Sequence, residues 1–245
     1  MKILKLSKTN LYLLNIHNGY LLIDTGYASD KAQFLNLLKR NNISIKEIKY
    51  IYLTHHHDDH VGLVNDIILE NKDIIVTMNE HCSELIKQGF NARTYGGGWC
   101  SKGMKVVAET YRKFNNNWTL SFPPYTPRKC DIILNSHDTD LKDLLGIDLK
   151  SIYTPGHTID SISLLDNKGN IFCGDAASNY LQWAGTKYAP AFVTDFNEFY
   201  SSWNKLLLLE INMVYPSHGI PFHQSKFKKH LYQLSNEKMG TFVWD

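Results

Sequence analysis

Short apolar runs interrupted by polar turn formers open the chain. Positions 2–6, 11–16 and 20–23 read as strands separated by Lys8-Thr9-Asn10 and Asn18-Gly19, the pattern of a meander. The period then lengthens. Phe34, Leu37 and Leu38 give positions 30–40 a helical face, and 48–53 is a further strand that runs straight into a histidine-rich stretch. Leu63, Val64, Ile67 and Ile68 predict a helix over 61–69, followed by a strand at 74–77 and a helix at 80–87. Strand signals return at 132–134, 149–153, 161–165 and 170–173, the last two joined by the turn Asn167-Lys168-Gly169. Helices at 198–209 and 226–237 flank a final strand at 212–215. Each half of the chain runs strands and then helix. This order predicts an α/β (α+β) architecture of two sheet layers packed face to face with helices outside.

Between these halves, residues 90–130 break the pattern. Glycines, asparagines and prolines bracket one helix-like run at 105–114, so the stretch reads as a lid or insertion within a single domain spanning 1–245. It holds Arg93, Lys102, Lys105, Arg112, Lys113, Arg128 and Lys129 against the lone acid Glu109. Tyr95, Trp99, Tyr111, Phe114, Trp118, Phe122 and Tyr125 supply apolar surface beside that charge. Arg112 and Lys113 are therefore candidates for attracting an anionic substrate group, although a basic surface loop gives the same pattern.

Composition narrows the class. With 43% hydrophobic residues in 245 positions the chain can bury a large core, and a formal charge of +2 gives no reason to expect nucleic acid or a membrane surface as partner. Lysines break every apolar run near the N-terminus and no cleavage motif follows, which predicts a cytoplasmic protein. Cys82, Cys100, Cys130 and Cys173 stand far apart, as free thiols do in a reducing compartment.

The chemistry is concentrated in His55-His56-His57-Asp58-Asp59-His60, four histidines and two aspartates in six positions. On extended chain past a strand end, residues two apart point the same way, so His55 and His57 can grip one metal ion together. Asp59 and His60, at the start of the next helix, are displaced toward a neighbouring position. His56 and Asp58 then occupy supporting or solvent-facing places. His157, Asp175 and His218 each follow an apolar strand and a Pro or Gly turn. Strand ends in layered α/β proteins gather at one edge, where binding groups assemble.

Taken in order, H-x-H-x-D-H at 55–60, T-P-G-H-T at 154–158, G-D at 174–175 and S-H-G at 217–219 resemble the successive motifs of the metallo-β-lactamase superfamily, and Leu22-Ile23-Asp24-Thr25-Gly26 is similar to that family's first motif. The resemblance implies an αββα sandwich holding two divalent ions. His55, His57 and His157 would bind one, Asp59, His60 and His218 the other, and Asp175 would bridge them, with Asp59 also assigned to catalysis. Asp24 would support the ligands from behind, or cap the turn before Gly26. Histidine and carboxylate ligands suit zinc, and ligand type alone also admits manganese or iron. Two divalent ions, two aspartates and a bridging hydroxide leave about one positive charge, enough to hold a nucleophile at neutral pH for attack on a carbonyl or phosphoryl centre.

Within that superfamily, Asp175 and the missing signal segment argue against a β-lactamase, and the missing arm argues against a tRNA-processing ribonuclease. What remains is hydrolysis of an ester, lactone or thioester in a small-molecule substrate. The alternatives are a mononuclear iron enzyme resembling the persulfide dioxygenases and a phosphodiester hydrolase. Tyr180 and Tyr188, shortly after Asp175, are candidates for substrate contact and proton donation or for aromatic packing; Cys173 is a buried small residue or a metal neighbour.

Overall fold

The computed structural model describes residues 1–92, 97–114, 120–227 and 229–230. These fall into two compact units, the first formed by Met1–Ala92 with Leu120–Thr139 and the second by the remainder.

The first unit is built on a mixed six-stranded sheet. Its strands are β1 (Lys2–Lys5), β2 (Asn10–Ile16), β3 (Gly19–Ile23), β4 (Ile48–Tyr52), β5 (Ile75–Asn79) and β6 (Ile132–Leu134), in that order across the sheet. β1, β2 and β3 form the expected antiparallel meander, with Ile16 opposite Gly19, so His17 and Asn18 alone make the turn. β3, β4, β5 and β6 are parallel. Their carboxyl ends share one edge, where parallel α/β sheets present binding loops. Leu11, Leu13, Leu22, Ile51 and Val76 from the strands meet Phe34, Leu38, Val64 and Ile67 from the helices Lys31–Arg40 and Val64–Glu70 in one apolar core.

The second unit carries another mixed sheet. Its strands are β7 (Thr139–Asp140), β8 (Leu149–Tyr153), β9 (Ile162–Asp166), β10 (Asn170–Gly174), β11 (Met213–Pro216) and β12 (Phe222–His223), and they lie in the order β12-β11-β10-β9-β8-β7. β8 runs antiparallel to β9 and β9 antiparallel to β10, while β10 and β11 are parallel. Two reversals restore direction, so β8, β10 and β11 all end at the same edge. The helix Phe196–Leu208 starts at Asp195, whose Oδ1 accepts from the Asn197 and Glu198 amides, and it buries Phe199, Trp203 and Leu206 in this unit's core.

The stretch 90–130 does not behave as one flap. Trp99, Met104 and Ala108 belong to the core of the second unit, and Phe122 and Tyr125 to the core of the first. Those aromatics are packing residues, buried because each completes an apolar layer. Trp99 pairs with Phe192 in a two-residue ladder and its ring meets the Phe192 ring edge to face at 5.4 Å. The helix Lys102–Phe114, longer than its expected 105–114, leaves Val106, Tyr111 and Phe114 exposed. Arg93, Tyr95 and Trp118, and part of the expected helix at 226–237, lie outside the described residues. The expected helix at 61–69 is also two pieces, Asp58–Val61 and Val64–Glu70, and the first begins inside the histidine cluster.

Candidate metal centre

In the first unit the ligand candidates lie just past the carboxyl end of β4. Leu53 still bonds to the Thr77 carbonyl at 2.9 Å, and then the chain leaves the sheet. Asp24, directly past β3, takes over. Its Oδ1 accepts from the Thr54 amide at 2.8 Å, the Thr54 hydroxyl lies 3.0 and 2.9 Å from its two oxygens, and its Oδ2 stands 2.8 Å from His60 Nδ1. A carboxylate only accepts, so the neutral His60 ring keeps its proton on Nδ1 and its lone pair on Nε2. The same hydroxyl of Thr54 lies 3.1 Å from His55 Nδ1. Asp24 has φ +59, a left-handed conformation that Asp adopts more readily than most residues, and the loop it starts clasps the cluster through Thr25, whose amide and hydroxyl both donate to the His60 carbonyl at 2.7 and 2.9 Å. Asp24 thus bonds to the cluster through Thr54 and His60.

Asp59 is held from the other side. Its Oδ2 accepts from the buried Thr9 hydroxyl at 3.1 Å while Oδ1 lies 3.5 Å from His60 Nε2. The His55 ring stands 4.6 Å from that of His57 and 3.9 Å from that of His60, centroid to centroid. His56 and Asp58 do not face solvent: they are 1% and 7% exposed. His56 Nε2 accepts from the Ala92 amide at 3.0 Å, and Asp58 exchanges two bonds with Asn91. Burial first, and then the charge of Asp59, push the Asp58 carboxyl up to about 6, against the opposing pull of the Asn91 hydrogen bond.

In the second unit the three expected ligands stand past the carboxyl ends of β8, β10 and β11. His157 Nδ1 lies 2.8 Å from the Phe192 carbonyl, which can only accept, so Nδ1 carries the proton and Nε2 the lone pair. That Nε2 is 3.6 Å from Asp175 Oδ2, and His218 Nε2 is 3.4 Å from the same oxygen. These separations exceed a good N–H···O bond. They match two ligands of one tetrahedral ion, which at bonds near 2.1 Å stand about 3.4 Å apart. The donor chemistry and spacing therefore fit divalent metal ions. Backbone contacts hold the two histidines of this triad. Gly156, at φ +130, packs so closely on the helix Phe196–Leu208 that a Cβ there would lie 2.4 Å from Phe199 Cα. Gly219, at φ +95, leaves no room for a Cβ beside the Asn179 carbonyl, 2.0 Å away, and the Asn179 amide bonds to the His218 carbonyl at 2.9 Å.

Other candidates stand differently. The Tyr188 ring packs on Phe222 at 4.5 Å and on His230 at 5.1 Å, and Tyr180 is exposed. Cys173 is buried with Sγ 3.8 to 3.9 Å from three carbonyl oxygens. Arg112 and Lys113 are exposed in the last turn of the helix Lys102–Phe114. Thr9, Thr54 and Asn91 carry no role in the sequence reading. Thr54 adjoins the cluster and was findable there; Thr9 and Asn91 are too distant in sequence to leave a local signal.

Comparison with known proteins adds an independent line. A model of the metallo-beta-lactamase superfamily matches residues 4–218. A beta-lactamase-like protein 2 homolog of Drosophila melanogaster is 27% identical over 220 residues, covering 87% of this chain and 59% of the fly protein. The metallo-beta-lactamase fold-containing protein ST1585 of Sulfurisphaera tokodaii is 26% identical over 224 residues, 91% of this chain and 77% of that one. This chain thus spans about six tenths of the fly relative, and it spans 49% of a lactamase-like protein, nscB, of Neosartorya fischeri. In the solved structures, ST1585 superposes with a TM-score of 0.63 at 21% identity over 94% of this chain and 81% of that one. The subclass B3 metallo-beta-lactamase BJP-1 of Bradyrhizobium japonicum gives 0.63 at 17% identity, over 96% and 88%. Two mixed sheets, the family match across most of the chain and these superpositions agree: the chain belongs to the metallo-β-lactamase superfamily and has its fold.

Proposed function

We propose that the chain is a binuclear metal-dependent hydrolase of esters, lactones or thioesters. In this reading His55, His57 and His157 hold one divalent ion, Asp59, His60 and His218 the other, and Asp175 joins the two. Zinc is the ion that this ligand set suits best. The observation that carries the reading is Asp175 Oδ2 with His157 Nε2 and His218 Nε2 at 3.6 and 3.4 Å, the His157 lone pair aimed by the Phe192 carbonyl. Nitrogen lone pairs facing a carboxylate repel it, and a cation between them turns that repulsion into binding.

Bound divalent ions supply Lewis acidity and make water a nucleophile at neutral pH. The chain's own part is orientation. Asp24 and Thr54 fix the tautomer and tilt of His60, Thr9 fixes Oδ2 of Asp59, and the Phe192 carbonyl fixes His157. Arg112 and Lys113 offer an anionic substrate group two exposed basic side chains in the last turn of their helix.

A panel of lactone, thioester and phosphodiester substrates, run on the zinc-loaded protein with oxygen uptake recorded, tests this. Turnover of a carboxylic ester or thioester with no oxygen consumed is expected. Hydrolysis confined to phosphodiesters, or oxygen consumption with a glutathione persulfide by the iron-loaded protein, would overturn the proposal.

A further inference from the structure

The helix Asp58–Val61 lacks the cap that helices usually draw from their own sequence. Its N-cap residue is His57, extended at φ −66 and ψ 152, and no side-chain bond from His57 closes the helix start. Ser, Thr, Asp or Asn normally fills that position because a short oxygen-bearing side chain reaches back to the first free amides. The H-x-H-x-D-H spacing puts a histidine there instead. His57 accepts through its carbonyl from the His60 and Val61 amides, which leaves the Asp58 amide facing outward from the first turn.

Asn91 meets that amide. Its Oδ1 accepts from the Asp58 N–H at 2.8 Å, and its Nδ2 donates to Asp58 Oδ1, also at 2.8 Å. This is the reciprocity of a capping box, supplied from a residue 33 positions away. Asn91 is itself fixed. Its amide donates to the Leu120 carbonyl at 2.8 Å, its neighbour Phe90 bridges Ser121, and the Ala92 amide donates to His56 Nε2 at 3.0 Å. An asparagine suits the pattern: the position must accept from an amide and donate to a carboxylate at once, which an aspartate or a leucine cannot do.

We infer that Asn91 is a positioning residue that caps the ligand-bearing helix from outside and thereby aims Asp59 and His60. The consequence for metal binding rests on the binuclear reading above. His55 and His57 precede the helix on extended chain, so loss of the cap should weaken the ion held by Asp59 and His60 and spare the other.

Two measurements on the full chain test this for the wild type, Asn91→Leu, Asn91→Asp and the exchange Asp58→Asn/Asn91→Asp, which restores one donor and one acceptor with their places reversed. Zinc competition against a chromogenic chelator should show two ions in the wild type. In Asn91→Leu one ion should lose about tenfold in affinity while the other is unchanged, and in Asn91→Asp the loss should be at least as large. The exchange variant should return to within about threefold of wild type. Equal affinities in Asn91→Leu and wild type, equal weakening of both ions, or no rescue by the exchange would overturn the inference. Amide hydrogen exchange of the metal-free proteins judges the cap without the ions. The His60 and Val61 amides should exchange about tenfold faster in Asn91→Leu and recover in the exchange variant. Unchanged exchange would refute the cap, whereas a wild type binding fewer than two ions with faster exchange in Asn91→Leu would refute the binuclear reading and leave the cap standing.

Discussion

The two units hold their ligand candidates by different means. The first draws four from six consecutive residues and fixes them with side chains: Asp24, Thr54, Thr9 and Asn91 each bond into the cluster or its helix. The second draws three from separate strand ends and fixes its two histidines with backbone: the Phe192 carbonyl on His157, and the close approaches at Gly156 and Gly219. Crowding explains the contrast. Four ligands in one loop leave the loop's backbone little freedom to support them all, so partners must reach in from elsewhere; ligands on separate strands are already aimed by the sheet. The first arrangement should fail when a polar side chain is deleted, and the second when a methyl group is added.

Gly156→Ala should produce the largest effect. The new Cβ would lie 2.4 Å from Phe199 Cα at a φ of +130, combining backbone strain with overpacking. A loss of about 4 kcal/mol is expected in urea unfolding. A loss under about 1 kcal/mol would show that the second unit's backbone yields easily. Asp24→Ala comes next, because it removes the acceptor for the Thr54 amide and for His60 Nδ1 in a fully buried place. It should cost about 2 to 3 kcal/mol and weaken zinc binding by roughly 10- to 100-fold. Affinity unchanged in this variant would break the proposed contrast.

The third expected effect is smaller and depends on pH. Asp131, whose side chain is closed off from solvent, accepts from the Arg128 amide and guanidinium at 2.7 and 2.8 Å, from the Tyr125 hydroxyl at 2.5 Å and from the Val76 amide at 3.1 Å. Burial alone would raise its carboxyl, but the bonds from Arg128 and Tyr125 outweigh it and hold the group below the usual carboxylate range. A carboxyl lowered by folding stabilises fully above its unfolded value and loses that contribution as pH falls through the folded value. Asp131→Asn should therefore cost about 2 kcal/mol at pH 7, and its deficit against wild type should shrink below about pH 4. A deficit that is constant from pH 7 to pH 3 would contradict the assignment. This network also ties the segment after residue 120 to the sheet of the first unit, since Arg128 donates to the Lys72 and Ile74 carbonyls.

The contrast between the units also decides what the sequence made visible. Four ligand candidates among six consecutive residues are legible without any structure, and so are the apolar runs of β8, β10 and β11 that end near the other three. Supports acting through space are not: Thr9 and Asp59 are 50 positions apart, and Thr9 sits in a stretch that reads only as a turn. Two-residue strands such as Gly98–Trp99 and Phe192–Val193 carry no period to detect, yet that ladder backs the carbonyl that orients His157. The helix start, expected at Asp59 and His60, lies at Asp58; the apolar rhythm could not mark it, because the histidines and aspartates there have none. Residues 90–130 looked like one insertion because their turn formers are dense, whereas packing divides them between two cores.

Metal content, measured by elemental analysis of the purified wild type and of Asp175→Ala after dialysis against zinc, tests the binuclear reading most directly. Two zinc ions per chain are expected in the wild type, with one or none and no hydrolysis in the variant, because the carboxylate proposed to join the ions is gone. Two ions and full activity in Asp175→Ala, or a single ion in a wild type that hydrolyses at full rate, would contradict it.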